Sequence, residues 1–148
     1  MKKKIFFTLI FSFLFIFKLI AKDTFLSLKN DTVNVRHQPT LNSSIKYIYK
    51  KINLPVKQID KKENFRRIID LKNNSGWIHW SQLKPSNSII ILEDKILFKK
   101  PSNFSKPIIR LEKGRLLVLK KCKKGWCNIK TGDYSGWVKT NNIWGSIN

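Results

Sequence analysis

Acidic side chains are scarce in this chain. Nine Asp and Glu stand against thirty Lys and Arg in 148 residues, a formal net charge of +21. The few carboxylates are scattered among basic neighbours, so no acidic pair is set up for general acid–base chemistry. Asp70 and Glu63 flank one hairpin, but Lys and Arg surround them, and surface ion pairing is the expectation. Histidine is as rare, with His37 and His79 alone. A zinc site would need both to converge with the only cysteines, Cys122 and Cys127, and the spacing fits no recognised zinc pattern. There is no Gly-rich phosphate loop, no Ser or Cys in a nucleophile setting, and no Cys-x-x-Cys. These gaps remove the usual constellations of catalysis. The expectation is a protein that is not an enzyme and uses no cofactor or metal.

Long apolar runs are also missing, with one exception at the start. Lys2, Lys3 and Lys4 precede an apolar run from Ile5 to Phe17, which Lys18 breaks; Leu19-Ile20-Ala21 then lead into Lys22-Asp23. The run falls short of the roughly 20 residues of a relaxed transmembrane helix. Its order of charge, apolar stretch and small residue is that of a secretory signal peptide over residues 1–21. Left uncleaved, the same segment would act as an N-terminal inner-membrane anchor, and both readings stand. The expected location is periplasmic or secreted.

What the remainder has is a repeat. Gly76-Trp77-Ile78 with a downstream Leu83 returns as Gly136-Trp137-Val138 with a downstream Ile143. Pro39 matches Pro101 and Phe65 matches Trp126 at nearly the same offset. Constant spacing over several anchors indicates two copies of a unit of roughly 60 residues. Units of that size sit near the lower limit for a self-sufficient core. Lys84-Pro85-Ser86-Asn87-Ser88 is the expected joint, dividing the chain into domains over 22–84 and 85–148. So short a joint favours a fixed orientation.

Both copies read as strands. The first offers 24–28, 33–36, 45–50, 55–60, 65–70 and 76–80; the second offers 89–92, 94–98, 108–111, 116–120, 127–130 and 136–139. Turn residues fall between them at intervals of roughly 8–12 residues, the signature of a small barrel or sandwich. After residue 22 no apolar period of a helix is sustained. Cys122 and Cys127 flank Lys123-Lys124-Gly125-Trp126, read as a four-residue hairpin loop that sets the two sulfurs opposite one another. An even cysteine count in an exported chain supports a disulfide.

Val33-Asn34-Val35-Arg36, Pro39, Leu54-Pro55-Val56, Phe65-Arg66-Arg67-Ile68 and Gly76-Trp77-Ile78-His79 with Leu83 resemble one bacterial SH3-like domain. The second copy resembles a divergent version through Leu97 to Pro101, Gly114, Cys122, Trp126-Cys127, Gly136-Trp137 and Ile143-Trp144-Gly145. It carries Lys95-Ile96-Leu97-Phe98 in place of the Asn-x-Arg opening. The overall pattern is similar to exported tandem SH3-like proteins of Gram-negative bacteria. The resemblance implies an all-β fold, two small barrels of five to six strands each, and a binding role of the cell-wall-targeting or peptide-binding kind.

The expected function is therefore a binding module that docks on peptidoglycan or on a periplasmic protein or peptide. The alternative is an electrostatic adaptor for anionic membrane or envelope polymer through the Lys-rich surface. The excess charge has two readings, compositional drift and selected anion affinity. Export argues against nucleic acid as partner. Aromatic walls with a few polar donors suit sugar rings or extended peptides, and the candidates are Arg36, His37, Tyr47, Tyr49 and Trp80. Trp77 and Trp137, each after its glycine (Gly76, Gly136), are expected to pack into their barrels. His79 is expected to face outward at a barrel rim.

Overall fold

Short β-branched runs, punctuated by Asn, Gly and Pro, favour extended backbone with frequent turns. The computed structural model describes residues 24–147, so the leader expected over residues 1–21 lies outside them. The first unit comprises β1 (Thr24–Leu28), β2 (Val33–Arg36), β3 (Ile45–Tyr49), β4 (Pro55–Lys62), β5 (Phe65–Ile69), β6 (Ser75–His79), a 3-10 turn (Trp80–Gln82) and β7 (Leu83–Pro85). The second comprises β8 (Ser88–Ile91), β9 (Lys95–Phe98), β10 (Pro107–Leu111), β11 (Leu116–Lys123), β12 (Trp126–Thr131), β13 (Tyr134–Lys139) and β14 (Ile143–Gly145).

The first sheet runs β3-β2-β6-β5-β4-β1-β7 and the second β10-β9-β13-β12-β11-β8-β14. Strand for strand these are the same topology. Even the irregularities repeat: the long hairpins β4–β5 and β11–β12 slip register at Gln58/Asp60 and at Leu119/Lys121. The fold is all-β and doubled, as expected. Each sheet holds seven strands rather than five or six, because the short β7 and β14 pair with the first strand of their own unit.

Both cores are aliphatic. Leu28, Val33, Val35, Val56, Ile68, Ile78 and Leu83 fill the first; Ile89, Ile91, Leu97, Leu111, Leu117, Ile129 and Val138 fill the second. Trp77 and Trp137 do not enter these cores, contrary to expectation. Both are half-buried on the outer sheet face, while Gly76, Ile78, Gly136 and Val138 face inward. The inner space under so small a sheet suits branched aliphatics better than an indole. The glycine is what the motif needs. A Cβ on Gly76 would collide with Val35 Cγ1 and press on Arg36 O at 3.1 Å; one on Gly136 would lie 2.5 Å from Phe98 O. In each unit the Gly-Trp strand thus passes close over the opening strand.

The Cys122–Cys127 disulfide forms, with a Cα–Cα separation of 4.1 Å. The loop is tighter than expected. β11 extends through Lys123 and β12 begins at Trp126, leaving a two-residue turn. Lys124 (φ 46°) and Gly125 (φ 80°) both take the left-handed conformation of a type I′ hairpin. The cysteines are then direct cross-strand partners, not loop flanks.

The joint is shorter than expected too. β7 runs through Pro85 and β8 starts at Ser88, so only Ser86 and Asn87 connect the units. A buried polar chain spans this seam. Asn87 N–H donates to Ser27 Oγ (3.4 Å), Ser27 Oγ lies 2.8 Å from Ser88 Oγ, and Ser88 Oγ donates to Asn53 O (2.5 Å). Farther along, Trp144 Nε1 donates to Pro55 O (2.9 Å) and its ring meets Phe25 edge-on at 5.1 Å.

Candidate binding cleft

Strand alternation places Tyr47 and Tyr49 on one face of β3, paired with Val35 and Val33 of β2. Their rings meet edge-on, with centroids 5.2 Å apart. Tyr49 OH donates to Asp70 Oδ2 at 3.0 Å. That bond uses its only proton, so the Tyr47 hydroxyl, 3.4 Å away, is left as donor to the Tyr49 oxygen. The acceptor lone pairs of Tyr47 remain for a ligand. Burial pushes both phenol pKa values up, and the Asp70 carboxylate adds to the effect. Both hydroxyls are therefore neutral donors and acceptors throughout the physiological range.

Asp70 is not a surface ion pair, contrary to expectation. It is 8% exposed and closes the turn between β5 and β6. Its Oδ1 accepts from Lys72 N (2.8 Å) and Asn74 N (2.9 Å); its Oδ2 accepts from Asn74 Nδ2 (3.0 Å) besides Tyr49. The carboxylate thus couples the turn to the tyrosine wall. The surrounding basic residues, which suggested ion pairing, say nothing of this role. The signal was the Asp-x-x-x-Asn spacing, a turn in which a carboxylate bonds its own downstream amides.

These residues line a cavity of about 770 Å³ between the two units. Ile48, Lys51 and Leu54 join Tyr47 and Tyr49 on one wall, Leu71 and Lys72 rise from the Asp70 turn, and Ile90 and Gly114 close the cleft from the second unit. The walls are chiefly apolar and aromatic. Asp70 is already satisfied, which leaves the Lys51 and Lys72 ammonium groups as the charges offered to a ligand. An elongated molecule with ring or aliphatic faces and carboxylates fits such a lining.

The remaining expected groove residues lie elsewhere. Arg36 pairs with Trp77 across β2–β6, and its Nη1 donates to Ser43 O at 2.6 Å, holding the β2–β3 loop. His37 starts that loop, its N–H bonded to Ser44 O. Trp80 begins the 3-10 turn and lines a smaller hollow of about 240 Å³ with Leu26, Arg66 and Pro85. The five residues therefore form no single groove; only Tyr47 and Tyr49 meet in the cleft. His79 is half-buried, and its Nδ1 accepts from Ser81 N to cap the 3-10 turn. Among the described residues no three His, Cys, Asp or Glu side chains converge as metal ligands would.

Comparison with known proteins gives two kinds of match. The family model described as bacterial SH3 domain matches the chain twice, over residues 29–85 and 94–145. Among solved structures the chain is similar to NlpC2 from Trichomonas vaginalis, at 14% identity and a TM-score of 0.38, over 84% of this chain and 48% of that one. It is also similar to NlpC1 from Trichomonas vaginalis, at 13% identity and a TM-score of 0.36, over 82% of this chain and 45% of the other. The chain spans about half the length of these structures. No curated protein matches.

Proposed function

The chain belongs to the bacterial SH3 domain family, a family of binding modules, and from that premise we propose that it is an exported module whose inter-unit cleft docks on peptidoglycan. One observation carries the reading: the cleft combines a tyrosine pair, aliphatic walls and two free ammonium groups. Phenol rings stack on sugar and aliphatic faces, and ammonium groups pair with peptide carboxylates. Peptidoglycan offers all three along one extended polymer. The cavity falls within the roughly 300–1,000 Å³ range of ligand sites. Neither unit forms the site alone, since Ile90 and Gly114 come from the second.

Export through the apolar leader would deliver the protein to the compartment that holds this ligand. The test is co-sedimentation with purified sacculi at physiological salt. Wild-type chain is expected in the pellet, and Tyr47→Ala is expected to weaken retention by about tenfold, the loss of roughly one aromatic contact and its hydrogen bond. Failure of the wild-type chain to pellet would overturn the wall reading and leave a periplasmic peptide as occupant. Loss of retention on moderate added salt, with Tyr47→Ala indistinguishable from wild type, would transfer the function to simple charge attraction.

A further inference from the structure

Two loops of equal length join equivalent strands: residues 37–44 between β2 and β3, and residues 99–106 between β9 and β10. They share one hydrogen-bond frame. Gln38 N donates to Ser43 Oγ (2.9 Å) as Lys100 N does to Ser105 Oγ (2.8 Å). Thr40 N donates to Gln38 O (2.9 Å) as Ser102 N does to Lys100 O (2.8 Å). His37 N donates to Ser44 O (3.3 Å) as Lys99 N does to Lys106 O (3.0 Å). Each frame holds an apolar residue out at its tip. Leu41 is 67% exposed and Phe104 is 100% exposed.

The chemistry of the two tips differs. The first loop has no formally charged side chain, whereas the second carries exposed Lys99, Lys100 and Lys106 together with Phe104. No acidic residue occurs between Asp94 and Glu112. The neighbouring cations Lys95 and Arg110 are already paired, with Glu93 and Asp94. The loop springs from Phe98, whose ring meets Trp126 edge-on at 5.7 Å, and Lys139 Nζ lies 5.6 Å from the Trp126 ring centre.

A scattered exposed apolar residue needs no explanation. A fully exposed phenylalanine held on a bonded frame, in a loop that also carries three exposed lysines, is a different object. Aromatic rings settle at the level of lipid headgroups, and lysines near a bilayer are drawn to anionic phosphates. The geometry points to this loop as a docking tip for an anionic phospholipid bilayer, with Phe104 entering the headgroup layer and Lys99, Lys100 and Lys106 over the lipid phosphates. The loop's charge selects the occupant: three exposed lysines with no acidic residue between Asp94 and Glu112 complement a surface of anionic phosphates. This site is separate from the cleft, on the far unit's own loop, and does not depend on the wall reading.

The test is flotation with phosphatidylglycerol-containing vesicles and with phosphatidylcholine vesicles. It uses the chain from Lys22 onward, which retains both cores and every strand described. Wild type is expected to float with the anionic vesicles and not with the neutral ones. Phe104→Ala, which keeps the charge and touches no core, is expected to lose about tenfold in affinity. Each of Lys99→Gln, Lys100→Gln and Lys106→Gln is expected to cost about fivefold. Leu41→Ala, on the matching loop, is expected to change nothing. Equal binding by Phe104→Ala and wild type would overturn the proposal, as would equal flotation with neutral vesicles. Loss of sacculus binding in Phe104→Ala with vesicle binding intact would also overturn it and make the tip a polymer contact.

Discussion

Asp70 shows how one side chain can serve the turn and the site together. It accepts four hydrogen bonds, three from its own turn and one from Tyr49. The tyrosine it holds has a pKa raised above the ordinary phenol value of 10.0. A group whose folded pKa is raised adds stability that is complete below its unfolded pKa and declines as pH climbs above it. Alkaline conditions, from about pH 10 upward, should therefore erode the stability of the wild-type chain more steeply than that of Tyr49→Phe. The extra slope cannot exceed about 1.4 kcal/mol per pH unit, because one phenol releases one proton. Near neutral pH the same variant should cost about 1–2 kcal/mol through the lost bond to a carboxylate. Denaturant unfolding of both proteins across that range measures the two effects; parallel curves would refute the first. Tyr47 and Tyr49 were legible as a shared strand face by alternation alone. Their meeting with Ile90 and Gly114 was not, because no local pattern tells which surfaces two successive units turn toward one another.

Among the elements, the β11–β12 hairpin differs from its counterpart in its covalent link. The two-residue turn at Lys124-Gly125 sets Lys123 opposite Trp126 and leaves Cys122 and Cys127 as the next pair. The corresponding hairpin β4–β5 has Lys61 opposite Arg66 at that place, with no covalent link. Closing so short a loop contributes roughly 2 kcal/mol by chain entropy. Mild reduction, or Cys122→Ser with Cys127→Ser, should lower the stability of the second unit by about that amount. Hydrogen exchange should show faster opening in β11–β13 and unchanged protection in β4–β6; uniform loosening of both units would contradict this. The strands themselves were readable from period and turn residues, since β1 and β2 coincide with the expected segments. The turn is shorter than the sequence suggests because Lys124 takes a left-handed conformation more usual for Gly or Asn. β7 and β14 escaped notice for a different reason. Each has three residues and pairs with a strand from the start of its unit, so its extension comes from tertiary partners rather than local propensity.

At the scale of the molecule, the seam decides whether the cleft keeps its shape. Trp144 carries much of it, through its bond to Pro55 O and its edge contact with Phe25. Trp144→Phe should lose about 1 kcal/mol, the worth of one hydrogen bond. Trp144→Ala removes the ring as well, about 3 kcal/mol in all. Calorimetry should then resolve two transitions where the wild-type chain shows one, and a single shifted transition would argue that the serine chain at the joint suffices. The doubled glycine–tryptophan motif correctly announced the two units, yet the glycine supplies the close crossing and the indole stays outside.

The adjacency of first and last strands in each unit has a mechanical consequence. β1 lies antiparallel to β7 with Leu26 opposite Pro85 and Leu28 opposite Leu83, and β8 meets β14 in the same sense. The chain therefore enters and leaves each unit at one end of the same strand pair. Tension applied along the chain would load those hydrogen bonds one after another, as a zip opens, instead of all at once in shear.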